Sequence, residues 1–233
     1  MFRTSLQVLC RWSMPLALLL AVLLAPTAVA AQDNIAVTKH NFSALSGRSA
    51  TFTSLATTVA DYGELCVYCH TPHGGQTGAP LWNRAFGATA YQMYTSPTID
   101  MVISATPGDV SLACLSCHDG TIGIDVITNR PNLTTTPASI GTTMGTLFPS
   151  GQSAFNNLGT DLRNDHPIGI TFSTLDLAYR TQASIVAAGL TLYGASANRV
   201  ECATCHNPHR STNVPFLRVT NTGSALCLTC HIK

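Results

Sequence analysis

The chain has 233 residues, of which nine are cysteine and eight are histidine. Only 10% of its residues are charged, well below the ~25% of an ordinary soluble domain. Lys and Arg (12) almost balance Asp and Glu (11), so the sequence lacks the basic footprint of a nucleic-acid-binding protein. A surface so poor in charge is compatible with burial against other copies of the chain.

The first 30 residues predict a secretory signal peptide. Arg3 and Arg11 form a basic start, residues 13–25 are apolar, and Ala28-Val29-Ala30 fits the cleavage pattern. The alternative is a membrane anchor, but the apolar run is shorter than the ~20 residues that a spanning helix needs. We therefore expect export and no membrane span in the mature chain, whose ten basic and eleven acidic residues leave a net charge of −1.

Eight cysteines belong to four copies of Cys-x-x-Cys-His, and the ninth, Cys10, lies in the predicted signal peptide. The copies are Cys66-Val67-Tyr68-Cys69-His70, Cys114-Leu115-Ser116-Cys117-His118, Cys202-Ala203-Thr204-Cys205-His206 and Cys227-Leu228-Thr229-Cys230-His231. Two thiols three residues apart project from one side of a helical turn and can add to the two vinyl groups of one porphyrin. The histidine that follows is then placed to bind the iron. The pattern predicts four covalently attached haem c groups, with these four histidines as proximal ligands.

A single Cys-x-x-Cys is also typical of zinc sites, disulfides and redox-active pairs. Four copies, each followed by histidine, favour haem because a zinc ribbon does not need that histidine every time. The attachment of haem c also requires a compartment outside the cytoplasm, in agreement with the predicted export.

The four remaining histidines match in number the four irons that each lack one axial ligand. They are His40, His73, His166 and His209. We therefore predict bis-histidine ligation at every haem. Pro72 and Pro208 end the attachment turns and direct the histidines that follow them towards neighbouring haems. The Asp165 carboxylate is a candidate hydrogen-bond acceptor that would orient the His166 imidazole.

So many cofactors in about 200 residues leave little polypeptide for each haem. We predict a mostly irregular fold with short α-helices and little β-structure, wrapped around a stack of four haems. Apolar periodicity predicts one further helix over residues 175–192.

The chain contains an internal repeat. Residues 66–73 are echoed by residues 202–209, and each copy is followed by proline, two apolar residues and an arginine, with Arg84 and Arg218 as the expected equivalents. We predict one tetrahaem domain, residues 31–233, built from haem-pair modules at about 31–120 and 200–233 with residues 121–199 inserted between them.

The sequence resembles the doubled-CXXCH multihaem cytochromes, and among them the small secreted tetrahaem cytochromes that polymerise into extracellular filaments. The resemblance rests on His40-Asn41-Phe42-Ser43, residues 66–73, Pro80-Leu81-Trp82-Asn83-Arg84, residues 114–120, His166-Pro167-Ile168-Gly169, residues 202–209 and residues 226–231. It implies a loop-built fold around a continuous haem stack, low-spin bis-histidine irons, and electron transfer to other cytochromes or extracellular acceptors. In the filament-forming members, a histidine of the adjacent subunit caps one haem.

The leading hypothesis is an electron-conducting extracellular filament, with a monomeric periplasmic or extracellular electron shuttle as the alternative. A multihaem oxidoreductase needs an iron with an open position, and the histidine count leaves none, so we predict no catalytic residue. We expect His209 to cap the haem at Cys227 and Cys230, and His40 and His166 to serve the N-terminal pair. His73 then remains for the haem at Cys202 and Cys205, and the resemblance to the filament-forming members implies that it reaches this haem in the next subunit.

Overall fold

The computed structural model describes residues 33–43, 58–87, 90–131, 137–147, 156–173 and 176–232. All of them belong to the second of two units into which the chain divides, Asp33–Lys233. The predicted signal peptide and Cys10 lie outside the described residues.

The described residues form mostly loops, with short helices and a small sheet. The α-helices, α1 to α5 in chain order, are Asp109–His118, Met144–Leu147, Gln182–Ala187, Cys202–Cys205 and Ala225–Cys230. Single 3-10 turns span Ile35–Val37 and Thr222–Ser224. The low content of regular structure agrees with the prediction. Within the described ranges, no helix is both long enough and apolar enough to cross a membrane.

Three two-residue strands form an antiparallel sheet in the order β1, β2, β3. They are Val102–Ile103, Ile170–Thr171 and Arg199–Val200. Ile170 pairs with Ile103 on one side and with Val200 on the other. The sheet therefore joins residues before the second motif, residues of the predicted insert, and residues directly before the third motif.

The helix predicted over residues 175–192 is wrong in length, because α3 spans only Gln182–Ala187. The Thr181 side chain caps its first turn by accepting from Ser184 N, and Gly189, with φ of 98°, follows its end. Residues upstream pair with the C-terminus instead: Arg180 N donates to Cys230 O at 2.8 Å. That backbone pairing removes groups that a longer helix would need.

The buried apolar side chains form three separate clusters among the described residues. The largest contains Val67 and Tyr68 from the first motif, and another contains Leu115 from the second. The third is built on Ile170 and Ile185, with Cys230 of the fourth motif packed against it. Each cluster therefore contains or contacts side chains of one attachment motif.

Candidate haem-binding site

Each attachment motif forms a single helical turn. In the first, third and fourth motifs the histidine N–H donates to the carbonyl of the first cysteine, at 2.8, 3.0 and 2.9 Å respectively. The second motif occupies the last turns of α1. Both thiols and the histidine of a motif therefore lie on one turn, as attachment to a single porphyrin requires.

In three of the four proximal histidines, Nδ1 lies within hydrogen-bond distance of a backbone carbonyl oxygen. His70 faces Pro80 O at 3.1 Å and His206 faces Pro215 O at 3.0 Å. His118 faces Asn156 O at 2.7 Å. Because a carbonyl only accepts, Nδ1 carries the proton and the lone pair lies on Nε2, the nitrogen that binds iron. These residues fit an axial ligand of haem.

The backbone after the first and third motifs folds into the same turn. The residue after the motif histidine donates its N–H to the carbonyl of Leu81 in the first copy, at 2.8 Å, and of Phe216 in the third, at 2.7 Å. Both acceptors have positive φ, 54° and 62°, which costs a residue with a side chain about 1–2 kcal/mol. Each follows the proline whose carbonyl holds the proximal histidine. In each copy, the residue with positive φ therefore belongs to the turn that orients the proximal imidazole.

The arginines of the two repeats are not equivalent, contrary to the sequence-based alignment. Arg218 N donates to Cys205 O, as Asn83 N donates to Cys69 O, so the structural equivalent of Arg218 is Asn83. Arg84 lies one position further along and is fully buried. Its guanidinium donates to backbone and side-chain oxygens of the second motif and the loop that follows it.

Thiols of successive motifs approach one another in chain order. The pairs are Cys69 with Cys117, Cys114 with Cys202, and Cys205 with Cys230. Burial, reinforced by Cys117, raises the pKa of Cys69 to about 12. The hydrogen bond between Cys114 and Cys202 raises the pKa of Cys114. At least one thiol of each motif therefore lies close enough to a thiol of the next motif to shift its pKa.

A buried carboxylate joins the second motif to the third. Glu201 is 2% exposed and accepts from Ser111 Oγ and from Gly108 N, with Arg199 at 3.1 Å. Ser111 Oγ in turn accepts from Cys202 N at 3.0 Å. This network fixes the start of α1 against the start of α4, which places the thiols of Cys114 and Cys202 side by side.

Two of the four candidate distal histidines lie near a proximal histidine. The ring centres of His40 and His118 are 6.2 Å apart, and those of His209 and His70 are 6.1 Å apart. The turn after Pro208 thus places the His209 ring beside the first motif, whereas the sequence-based expectation assigned His209 to the haem at Cys227 and Cys230.

His73 and His166 are both exposed. The carbonyl of His73 accepts from Thr71 Oγ1 at 2.9 Å and from Asn129 Nδ2 at 3.2 Å, which fixes its backbone. Nδ1 of His166 faces the carbonyl of Pro167 at 3.0 Å. A backbone oxygen, instead of the expected Asp165 carboxylate, therefore orients that imidazole.

A cavity of about 530 Å³ lies beside the first motif. Cys66 and His70 border it, and Arg130 is the basic side chain of its lining besides that histidine. This volume falls within the range of small-molecule and cofactor sites, roughly 300–1,000 Å³.

The sequence does not predict the carbonyl acceptors of the proximal histidines. Pro80 and Pro215 occupy matching places in the internal repeat, and this recurrence is the one sequence feature that points to them. Asn156, the partner of His118, has no counterpart in the sequence pattern.

Residues 195–233, which contain the third and fourth motifs, match the family model described as "Doubled CXXCH motif". No curated protein gives a significant match to the chain. Together with the motif geometry, the family match supports a multihaem c-type cytochrome, with covalently bound haem c and a role in electron transfer.

Proposed function

We propose that this chain is a secreted tetrahaem c-type cytochrome that transfers electrons and has no enzymatic activity. The observation that carries the proposal is the tautomer of the proximal imidazoles. In three motifs Nδ1 is protonated, which leaves the Nε2 lone pair available to iron. When bound, haem c supplies a one-electron iron couple. The eight motif cysteines hold the four groups by thioether bonds.

In this proposal the four centres follow one another in chain order. Its support is that a thiol of each motif affects the pKa of a thiol in the next, from the first motif to the fourth. Residues such as Glu201 and Arg84 fix these junctions by buried hydrogen bonds. An array in chain order has two ends, the first motif and the fourth, and both present a partly exposed histidine.

We propose further that the subunits join head to tail into an extracellular filament through His73. Its side chain is exposed, and two hydrogen bonds to its carbonyl fix the backbone that carries it. The proposal places this imidazole on a haem of the C-terminal module in the next subunit. Such a contact is heterologous and propagates when its rotation does not close a ring.

The secreted fraction provides the test. Electron microscopy of the wild type should show filaments, and His73→Ala should retain four attached haems while forming only short species with one high-spin iron per chain. Asn129→Ala removes one of the two contacts to the His73 carbonyl and keeps the imidazole, so it should form longer species than His73→Ala and keep every haem low-spin. Full-length filaments of His73→Ala with every haem low-spin would overturn the trans ligand, and a wild type that stays monomeric would favour the electron shuttle.

A further inference from the structure

We propose that the C-terminal module caps one haem of the N-terminal module and that the N-terminal arm caps the other. His209 of the C-terminal module is the distal ligand of the haem at Cys66 and Cys69, and His40 of the N-terminal arm is that of the haem at Cys114 and Cys117. This assignment rests on the proposed function, because it presupposes that haem is attached at these motifs.

The ring separations are those of two imidazoles that share one metal. A metal–imidazole nitrogen bond is about 2.0 Å, and the nitrogen lies about 1.1 Å from the ring centre for bonds of about 1.33 Å. Two rings on opposite sides of one iron therefore have centres roughly 6.2 Å apart. The observed separations are 6.2 Å for His40 and His118 and 6.1 Å for His209 and His70.

The angle between the two ring planes does not exclude either histidine pair as the ligands of one iron. An axial imidazole can rotate about the iron–nitrogen bond, so that both parallel and perpendicular pairs are possible. The two rings are inclined by 17° for His209 and His70 and by 85° for His40 and His118. The two haems would thus differ in ligand orientation, which gives each a distinct spectroscopic signature.

A rigid turn holds His209. Asn207 N donates to Phe216 O at 2.7 Å, and Asn207 Oδ1 accepts from His209 N at 3.1 Å. Arg210 N closes the turn by donating to Asn207 O at 2.9 Å. Because Phe216 O also belongs to the turn that orients His206, the third motif positions a proximal and a distal histidine with one piece of backbone.

Polar contacts to the C-terminal module hold the arm that carries His40. Asp33 pairs with Arg210 at 2.9 Å and accepts from Thr212 Oγ1 at 2.7 Å. The His40 ring packs on Phe216 with centres 4.4 Å apart. Among the described residues, its buried Nδ1 has no hydrogen-bond partner. A buried imidazole beside a proximal histidine, with a ring nitrogen left unpaired, is placed to act as an axial ligand.

The assignment changes the choice of ligand for the remaining haems. With His40 and His209 used in the N-terminal module, His73 and His166 remain for the two haems of the C-terminal module. His166 leads into β2, where Gly169 N donates to Val200 O just before the third motif. His166 is therefore the candidate from the same chain, and His73 stays available to a neighbouring subunit.

The experiment combines ligand and attachment variants, expressed with a c-haem maturation system. His209→Ala should keep four haems by intact mass and convert one haem in four from low-spin to high-spin by electron paramagnetic resonance. Added imidazole should restore the low-spin signal. In a background with Cys66→Ala and Cys69→Ala, which carries three haems, His209→Ala should produce no additional high-spin iron. The corresponding background for His40→Ala is Cys114→Ala with Cys117→Ala.

The assignment would be overturned if the histidine variant produced additional high-spin iron in its matching double-cysteine background. It would also be overturned if the single histidine variant kept every haem low-spin. A variant that does not fold is replaced by His209→Met, which should stay low-spin and raise the potential of one haem, since methionine is a ligand with that effect. No change of potential would also overturn the assignment. A wild type with fewer than four haems would instead refute the proposed function, so the two failures can be distinguished.

Discussion

Replacement of Arg84 by methionine tests the hydrogen bonds that join the first motif to the second. The guanidinium is fully buried and donates to Ser116 Oγ at 3.2 Å, to Ser116 O at 2.9 Å and to Gly123 O at 2.8 Å, with a further bond to Ile124 O. Methionine fills a similar space but leaves three buried carbonyls without this donor. Hydrogen bonds to a charged group are each worth about 1.5–3 kcal/mol, and the desolvation of the cation offsets several kcal/mol of their sum.

We expect Arg84→Met to lower the free energy of unfolding by about 3–5 kcal/mol, because each buried carbonyl left without a donor costs about 1–3 kcal/mol and the loss of the buried cation offsets part of that sum. For a chain of this size that corresponds to a fall in Tm of about 6–20 °C. The assay is thermal unfolding followed by circular dichroism in the Soret region. Arg163→Met is the matched control, because Arg163 pairs with Asp161 at the surface and its loss should leave Tm unchanged. A Tm for Arg84→Met within about 2 °C of the wild type would refute the reasoning.

Three further results are expected. Burial raises the pKa of Asp125, but hydrogen bonds from three backbone N–H groups and Ser139 outweigh it, so the net pKa is lowered. Asp125→Asn should therefore lower Tm at pH 7. The difference in Tm from the wild type should narrow as the pH falls below about 4, where the carboxylate is protonated first in the unfolded state and, at still lower pH, in the folded state; a difference that is constant with pH would contradict this. Glu201→Gln weakens the hydrogen bond from Ser111 and should lower the free energy of unfolding, measured in urea, by about 1–3 kcal/mol. An unchanged urea midpoint would show that the charge of Glu201 does not contribute to stability. The reduced protein should not bind carbon monoxide at neutral pH, and a stoichiometric spectral shift would reveal an open haem and favour an oxidoreductase.

The attachment chemistry could be predicted from the sequence because it depends on residues within five positions of one another. One helical turn fixes the two thiols and the histidine, and the structure forms that turn in every motif. The match in number between the spare histidines and the attachment motifs is also visible without the fold. The low content of helix and strand followed from the shortage of periodic apolar segments.

The pairing of histidines could not be predicted in this way, because it depends on contacts between distant segments. His209 follows the third motif in sequence, yet its ring lies beside His70 of the first. The predicted helix over residues 175–192 shows the same limit. Its apolar periodicity extends over three turns or more, but backbone pairing of Arg180 with Cys230 leaves only Gln182–Ala187 helical.

Intact-mass analysis of the purified protein, after expression with a c-haem maturation system, tests the central claim most directly. The account predicts the mass of the chain without its signal peptide plus four haem groups, and no thiol that reacts with an alkylating reagent. A bare polypeptide mass, fewer than four haems, or free thiols in the mature chain would contradict it.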